Sequence, residues 1–337
     1  MKTYAEAGVD RELRKRAKKH LIDLKSTFAL SKHGKIIETP FNSLYPIDSN
    51  TFHVKTSDSV GTKVLLSQLA GKHDTIGIDG IAMVVNDCIR CGAQPIALTD
   101  TIDVKKSDPE IIQEIKKGLI IGAHEANCPL IGGEIADVPE IINSSYNIIC
   151  DCVGEVEKNR IITGEKIKPD NIIIGLPSSG VHSNGISLLR KTLFKEWGGK
   201  YDAFAKLDNL DRELIHEALE PTKIYVKPFL NLAKKVDILG AIHITGDAYL
   251  KFKKITSFGF EFDNFKPQPI FKLIRECGVS IEEMFKTFNM GWGFAIIVEK
   301  ENIEDTLQLL KDSEVIGRIT DRNLIIKFEN KKIVLED

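Results

Sequence analysis

The chain has 337 residues, 28% of them charged, and a formal net charge of −2 at pH 7. Nothing in that balance suggests a surface built overall for a polyanion, and no apolar run approaches the ~20 residues that cross a bilayer. The length exceeds one comfortable hydrophobic core and predicts two domains. The lack of an apolar leader core predicts a cytoplasmic protein with neither nucleic-acid nor membrane partners.

In chain order, "RELRKRAKKH" (11–20) predicts a helix over 10–26 whose basic face is solvated, with a nucleic-acid arm as the minority reading. A loop follows. "TFHVKTSD" alternates apolar and polar, with Phe52 and Val54 on one side, and predicts a strand that ends at Asp58. Gly61 breaks that pattern and a short helix begins. In "GIDGIAMVVNDCIRCGAQP", Ile81, Val84, Val85 and Cys88 keep helical spacing, and Gly92 is a stop signal. Cys88 and Cys91 form a C-x-x-C inside this helix. No second pair has zinc spacing, so they read as small buried side chains. "PIALTDTIDV" is a strand reaching Asp100. A helix follows over 108–127, "CPLIGGE" is a strand running into paired glycines, and "SYNIICDCVGEV" is another strand.

The polar stretch 158–170 carries Gly and Pro and is the expected boundary between domains 1–157 and 158–337. Beyond it come the strand "NIIIGLP", helices over 185–196 and 211–219, and a third helix after "EPTKIYVKP". "MGWGFAIIVEK" is a strand and "NIEDTLQLLKDS" a helix. "EVIGRIT" and "NLIIKFENKKIVLED" close the chain as strands, with a turn at Glu329 and Asn330. Helices and strands alternate without a uniform repeat and the last hairpin is antiparallel. This predicts α+β domains rather than one doubly wound parallel sheet.

Several stretches suit chemistry. In "LPSSGVHSNGISLLRK" a buried strand delivers the chain to a flexible turn, and a helix starts near Asn184 or Gly185. Unpaired N–H groups at a helix start attract phosphate, and His182 adds a group that titrates near neutrality. The competing reading is a Ser/Asn-capped helix with an incidental histidine. "TSDSVGTK" places Asp58, Thr62 and Lys63 around a glycine turn, a set suited to magnesium and nucleotide phosphate, although it is no P-loop. Asp79 and Asp87 lie eight residues apart on the next helix, about 12 Å along its axis, so they can line one groove but not share one ion directly. Asp79 can equally cap the helix. Asn86 and Asp87 interrupt an apolar stripe and demand partners. Glu134 and Asp137 follow the paired glycines as hard-cation donors; the bland reading of every one of these acids is a surface carboxylate.

Taken together and in order, "YAEAGVD", "VGTK", "GKHDTIGIDGIAMVVND", "GAQP", "GGEIADVP", "SSGVHSNGISLLRK", "EPTKIYVKP", "HITGD" and "TFNMGWG" resemble the aminoimidazole ribonucleotide (AIR) synthetase family, the phosphoribosylformylglycinamidine cyclo-ligases. The resemblance implies a two-domain α+β AIR synthetase-like fold, paired as a homodimer through N-terminal domains. It implies an ATP- and Mg2+-dependent ligase of purine biosynthesis that closes formylglycinamidine ribonucleotide to aminoimidazole ribonucleotide, releasing ADP and phosphate. In that chemistry ATP activates an amide oxygen, and the neighbouring amine attacks the activated carbon.

On this analogy Asp58, Thr62, Lys63, Asp79, Asp87 and Glu134 hold nucleotide, with Asp58, Asp87 and Glu134 on the metal. Ser179, His182, Ser183, Asn184 and Gly185 form the substrate loop. Catalysis falls to His182, Lys63 and Asp58, with His182 accepting the amine proton. Departures from the family pattern are Ser59 in "DSVGTK", Ile135 and Asp137 in "GGEIADVP", Asp247 in "ITGDAYLKF", and a loop after the first helix with Gly34 and Lys35 in place of a glycine-rich run. The alternatives are a kinase-like or carbamoyl-dehydratase-like member of the same superfamily, or a non-catalytic nucleotide-binding partner.

Overall fold

Period-two alternation builds the first sheet. In the computed structural model, which describes residues 3–336, its strands are β1 (Ile37–Glu38), β2 (Ser43–Pro46), β3 (Thr51–Ser59), β4 (Gln94–Val104), β5 (Leu130–Asp137) and β6 (Tyr146–Glu157), in the order β1-β2-β3-β6-β4-β5. Met1, Lys2 and Asp337, which the expected domain limits include, lie outside the described residues. Tyr146, Ile148, Cys150, Cys152 and Val156 of β6 are all buried on one face. That face packs under α3 (Asp74–Ile89), and α4 (Pro109–Ala126) packs in turn against α3. Helix α4 starts where expected because Asp108 accepts from the N–H groups of Glu110 and Ile111 and Pro109 supplies a preset first turn.

The second sheet runs β13-β12-β9-β11-β7-β10-β8, from β7 (Ile172–Pro177), β8 (Gly240–His243), β9 (Gly259–Phe262), β10 (Trp292–Val298), β11 (Glu314–Thr320), β12 (Leu324–Phe328) and β13 (Lys331–Val334). Every residue of β10 is buried. The remaining helices are α1 (Arg11–Lys19), α2 (Val64–Ala70), α5 (Ile186–Leu193), α6 (Leu214–Ala218), α7 (Val226–Ala233), α8 (Pro269–Glu276), α9 (Ile281–Thr287) and α10 (Ile303–Leu309). No helix among the described residues is long and apolar enough to cross a membrane.

Three expectations change. The first helix ends at Lys19, and a 3-10 turn covers Ile22–Leu30. The segment before it docks on the second half of the chain, through Arg11 on Glu283 and Arg14 on Asp247, not on the first sheet with which it was grouped. The loop before β3 holds the β1–β2 hairpin. Strands β8 and β9 went unpredicted because they are four residues long and buried throughout, which leaves no period to read.

Candidate active site at the seam between the two halves

Four residues form one row across the first sheet: Asp58 is in register with Cys150, Cys150 with Asp100, and Asp100 with Gly133. Register partners share a face, so both carboxylates look toward α3, their backbones two strand spacings, about 10 Å, apart. The second glycine of "GGE" has a steric reason. A β-carbon at Gly133 would stand 2.6 Å from Asp100 Oδ1. Burial raises both carboxyls above the ordinary range, and the charge of Asp87 adds to the rise at Asp58. Asp100 escaped the sequence reading because nothing in "LTDTID" marks it. Only the strand register places it beside Asp58.

Glu134 belongs to the adjacent row, Ser59–Ile149–Thr101–Glu134, and so to the opposite face. Within one chain it does not meet Asp58, so a single chain does not bring the expected Asp58–Asp87–Glu134 set together. Among the described residues no group of three His, Cys, Asp or Glu is arranged to hold a metal ion. Asp87 is engaged elsewhere: its Oδ1 lies 3.1 Å from Arg90 Nη1 and 3.0 Å from His243 Nδ1. Burial opposes its charge, yet Arg90 and the His243 hydrogen bond outweigh that and hold the carboxyl well below the usual range.

Lys63 and Asp79, expected to touch the nucleotide, are given to each other. Both are fully buried, with Lys63 Nζ 2.8 Å from Asp79 Oδ2 and donating to the Glu220 carbonyl at 2.7 Å. Asp79 Oδ1 also accepts from Ser183 Oγ at 3.0 Å and from the Thr222 N–H at 2.7 Å. Burial lowers the Lys63 ammonium, and Asp79 offsets that. Thr62 Oγ1 meets Ser187 Oγ at 3.0 Å. The network therefore ties α2 and α3 of the first half to the loops around α5 and α6 of the second.

The loop at His182 lies against this network. Gly185, in the left-handed region at φ 76°, caps α5 without side-chain help, and a β-carbon there would come within 2.4 Å of the Phe288 ring. Asn184 Nδ2 points at Met83 Sδ, 3.9 Å away. Ser179 donates its N–H to His182 Nε2 at 3.2 Å, and its hydroxyl goes to the Pro221 carbonyl. His182 is buried and its Nδ1 has no partner. Burial, followed by the nearby charge of His243, lowers its pKa well below the ordinary imidazole value. Because Nε2 is the acceptor, the ring proton sits on Nδ1. His243 is the reverse case: Nδ1–H goes to Asp87 and a bare Nε2 is left buried without a partner. A cavity of about 860 Å³ opens elsewhere on the seam, near Gln94, Arg160 and Lys235, and touches none of these residues.

Residues 42–156 match the family described as AIR synthase related protein, N-terminal domain, and 168–328 match its C-terminal domain. The chain belongs to this family. It is 44% identical to the phosphoribosylformylglycinamidine cyclo-ligase of Pyrococcus horikoshii over 99% of this chain and 100% of that one. It is 38% identical to the protein of the same name from Bacillus cereus (strain B4264), over 95% of each chain. The AIR synthase-like α+β fold recurs in solved structures of low identity. A HypE–HypF complex aligns with TM-score 0.62 and 16% identity, over 94% of this chain and 99% of that one. AaThiL complexed with AMPPCP and TMP aligns with TM-score 0.61 and 16% identity, over 93% of each. T. maritima PurL complexed with ADP aligns with TM-score 0.60 and 13% identity, over 92% of this chain and 47% of that one.

Proposed function

We propose that the chain is an ATP-dependent cyclo-ligase that closes formylglycinamidine ribonucleotide to aminoimidazole ribonucleotide at the seam between its halves. The observation that carries this reading is the Asp87–His243 hydrogen bond beside the Asp58–Asp100 row, in a chain collinear with full-length relatives of that name. Asp58, partly exposed, and Asp100, buried, share one face, and carboxylates suit a hard cation, so these are the side chains that would hold Mg2+. A cation held there would supply positive charge to offset the negative charge of the transferring phosphoryl group.

The chain's own residues do the rest. The Asp87 carboxylate fixes the His243 tautomer, so that Nε2 accepts the proton of the attacking amine as the C–N bond forms. Phosphate then departs with the former amide oxygen. Burial lowers the His243 pKa, against the pull of Asp87, which keeps the ring neutral and able to accept at pH 7. His243 thereby takes the role expected of His182, whose acceptor nitrogen is occupied. The Lys63–Asp79 network positions the substrate loop through Ser183.

The free edge of β5, where Ile131 and Ile135 are 69% and 45% exposed, supports a homodimer built on the first sheet. Purified chain mixed with ATP, Mg2+ and formylglycinamidine ribonucleotide should release ADP only when the ribonucleotide is present. Release independent of it would favour an ATPase or kinase-like member, and no release would overturn the ligase reading.

A further inference from the structure

The cavity of about 860 Å³ on the seam stands apart from the candidate active site. None of Asp58, Asp100, Lys63, Asp79 or His182 lines it. A space of that size encloses a small molecule. Its walls come from both halves: Gln94 and Glu155 from the first sheet, the connecting segment at Arg160 and Ile162, α7 at Leu230 and Asn231, and Leu239 just before β8.

The lining divides by chemistry. Arg160, Lys166, Lys227, Lys234 and Lys235 supply cations, and Glu155, Glu157 and Asp237 supply carboxylates. Some of these are engaged with the protein itself. Lys166 Nζ lies 2.8 Å from Asp237 Oδ2, Glu155 Oε2 lies 3.0 Å from His53 Nε2, and Lys227 donates to the His124 carbonyl at 3.0 Å. Among the described residues Arg160, Lys234 and Lys235 pair with no carboxylate. The lining holds two more cations than carboxylates, which matches a phosphate dianion better than a triphosphate. Gln94, Asn127, Asn159 and Asn231 add carboxamides, each able to donate and to accept, as the edge of a heterocyclic base requires. Half-buried Ile96, Ile162 and Leu230 add apolar surface for a ring.

Both partners of the Asp87–His243 bond sit on elements that reach this cavity. Helix α3 carries Asp87 in its last turn, and Gly92, just beyond the helix, is in the cavity wall. There the Cys91 carbonyl accepts from the Ile162 N–H at 3.0 Å, and a β-carbon at Gly92 would stand 2.5 Å from the Arg160 carbonyl oxygen. Arg90, in the same turn, lies 3.1 Å from Asp87 Oδ1. From the second half, Leu239 lines the cavity and leads into β8, which ends at His243. A ligand gripping both walls therefore favours the spacing at which His243 reaches Asp87.

We propose that this cavity binds a nucleoside monophosphate as an activating ligand, with its phosphate on Arg160, Lys234 and Lys235 and its base against the Gln94 and Asn231 carboxamides. Binding does not depend on the ligase reading; activation rests on it.

The test titrates the full chain, saturated with a non-hydrolysable ATP analogue, with adenosine, guanosine and uridine monophosphates and with ribose 5-phosphate. At least one nucleotide should bind roughly tenfold more tightly than ribose 5-phosphate and raise the melting midpoint. Arg160→Gln with Lys234→Gln should weaken that binding by about tenfold or more. The same nucleotide should raise kcat/KM for substrate-dependent ADP release roughly fivefold in the parent and not in the double variant, whose activity without nucleotide should equal the parent's. Failure of all three nucleotides to bind overturns the proposal, as does binding that the double variant keeps unchanged. Equal affinity for ribose 5-phosphate overturns the assignment to a nucleoside. Binding that leaves turnover unchanged, or lowers it, overturns activation. A chain that binds as expected yet releases no ADP keeps the site and removes the ligase reading, with the activation built on it.

Discussion

His243 donates its Nδ1–H to Asp87 Oδ1 at 3.0 Å, and so ties the end of β8 in the second half to α3 in the first. The bond leaves Nε2 as a bare acceptor, the arrangement of a carboxylate-oriented general base. His243→Gln should lower kcat by about 10²- to 10⁴-fold with ATP-analogue affinity kept. Asp87→Asn should lose roughly 10- to 100-fold, because it disturbs the tautomer and not the base itself. Steady-state kinetics on the two variants and on His182→Gln checks the assignment. Near-normal turnover in His243→Gln beside a severe loss in His182→Gln would return the role to His182.

Asp79 collects donors from both halves, so its removal is expected to register as instability. Asp79→Ala strands a fully buried ammonium and should cost about 3–5 kcal/mol. The double change Lys63→Met, Asp79→Leu should cost less than Asp79→Ala alone, since no unpaired charge remains. Denaturant titration of the three proteins decides it. A Lys63→Met chain with full stability but no nucleotide binding would restore Lys63 to the phosphates.

Stability should also fall in mild acid. Burial holds the pKa of His73, His182 and His243 below the ordinary imidazole value. The unfolded chain therefore takes up protons, as pH drops through about 6.5, that the folded chain refuses, and folding weakens across that window. Asp58 and Asp100, whose carboxyls are raised, act in the opposite sense at more acid pH. Thermal melts at pH 7.5 and 5.5 should show a lower midpoint at the acid end. A midpoint that rises on acidification contradicts the burial of these rings as neutral species.

The exposed isoleucines of β5 offer a direct test of assembly. Ile131→Asp with Ile135→Asp places charges on the open edge and should convert a dimer to a monomer in light scattering at micromolar concentration. The sheet interior does not contain these positions, so far-ultraviolet dichroism should hold. A doubly substituted chain that keeps the parent's mass rules out this edge as the interface.

Much of the secondary structure was legible in the sequence because the long elements carry clear periods: the alternation of β3 and β6, the apolar stripe of α3, and the Asp108–Pro109 start of α4. So was the family, since motifs in "VGTK", "GGEIADVP" and "VHSNG" occur in the right order. Pairing was not legible. One strand register puts Asp58 and Asp100 on a common face and turns Glu134 to the other, because side chains alternate and the sequence does not say which strands are neighbours. Nor does spacing along α3 reveal that Asp79 meets Lys63 while Asp87 meets His243, 156 residues away. Local chemistry dictates which groups exist. Which of them neutralise each other in the interior, and which are left facing a ligand, is decided only when the two halves close on one another and water is excluded between them.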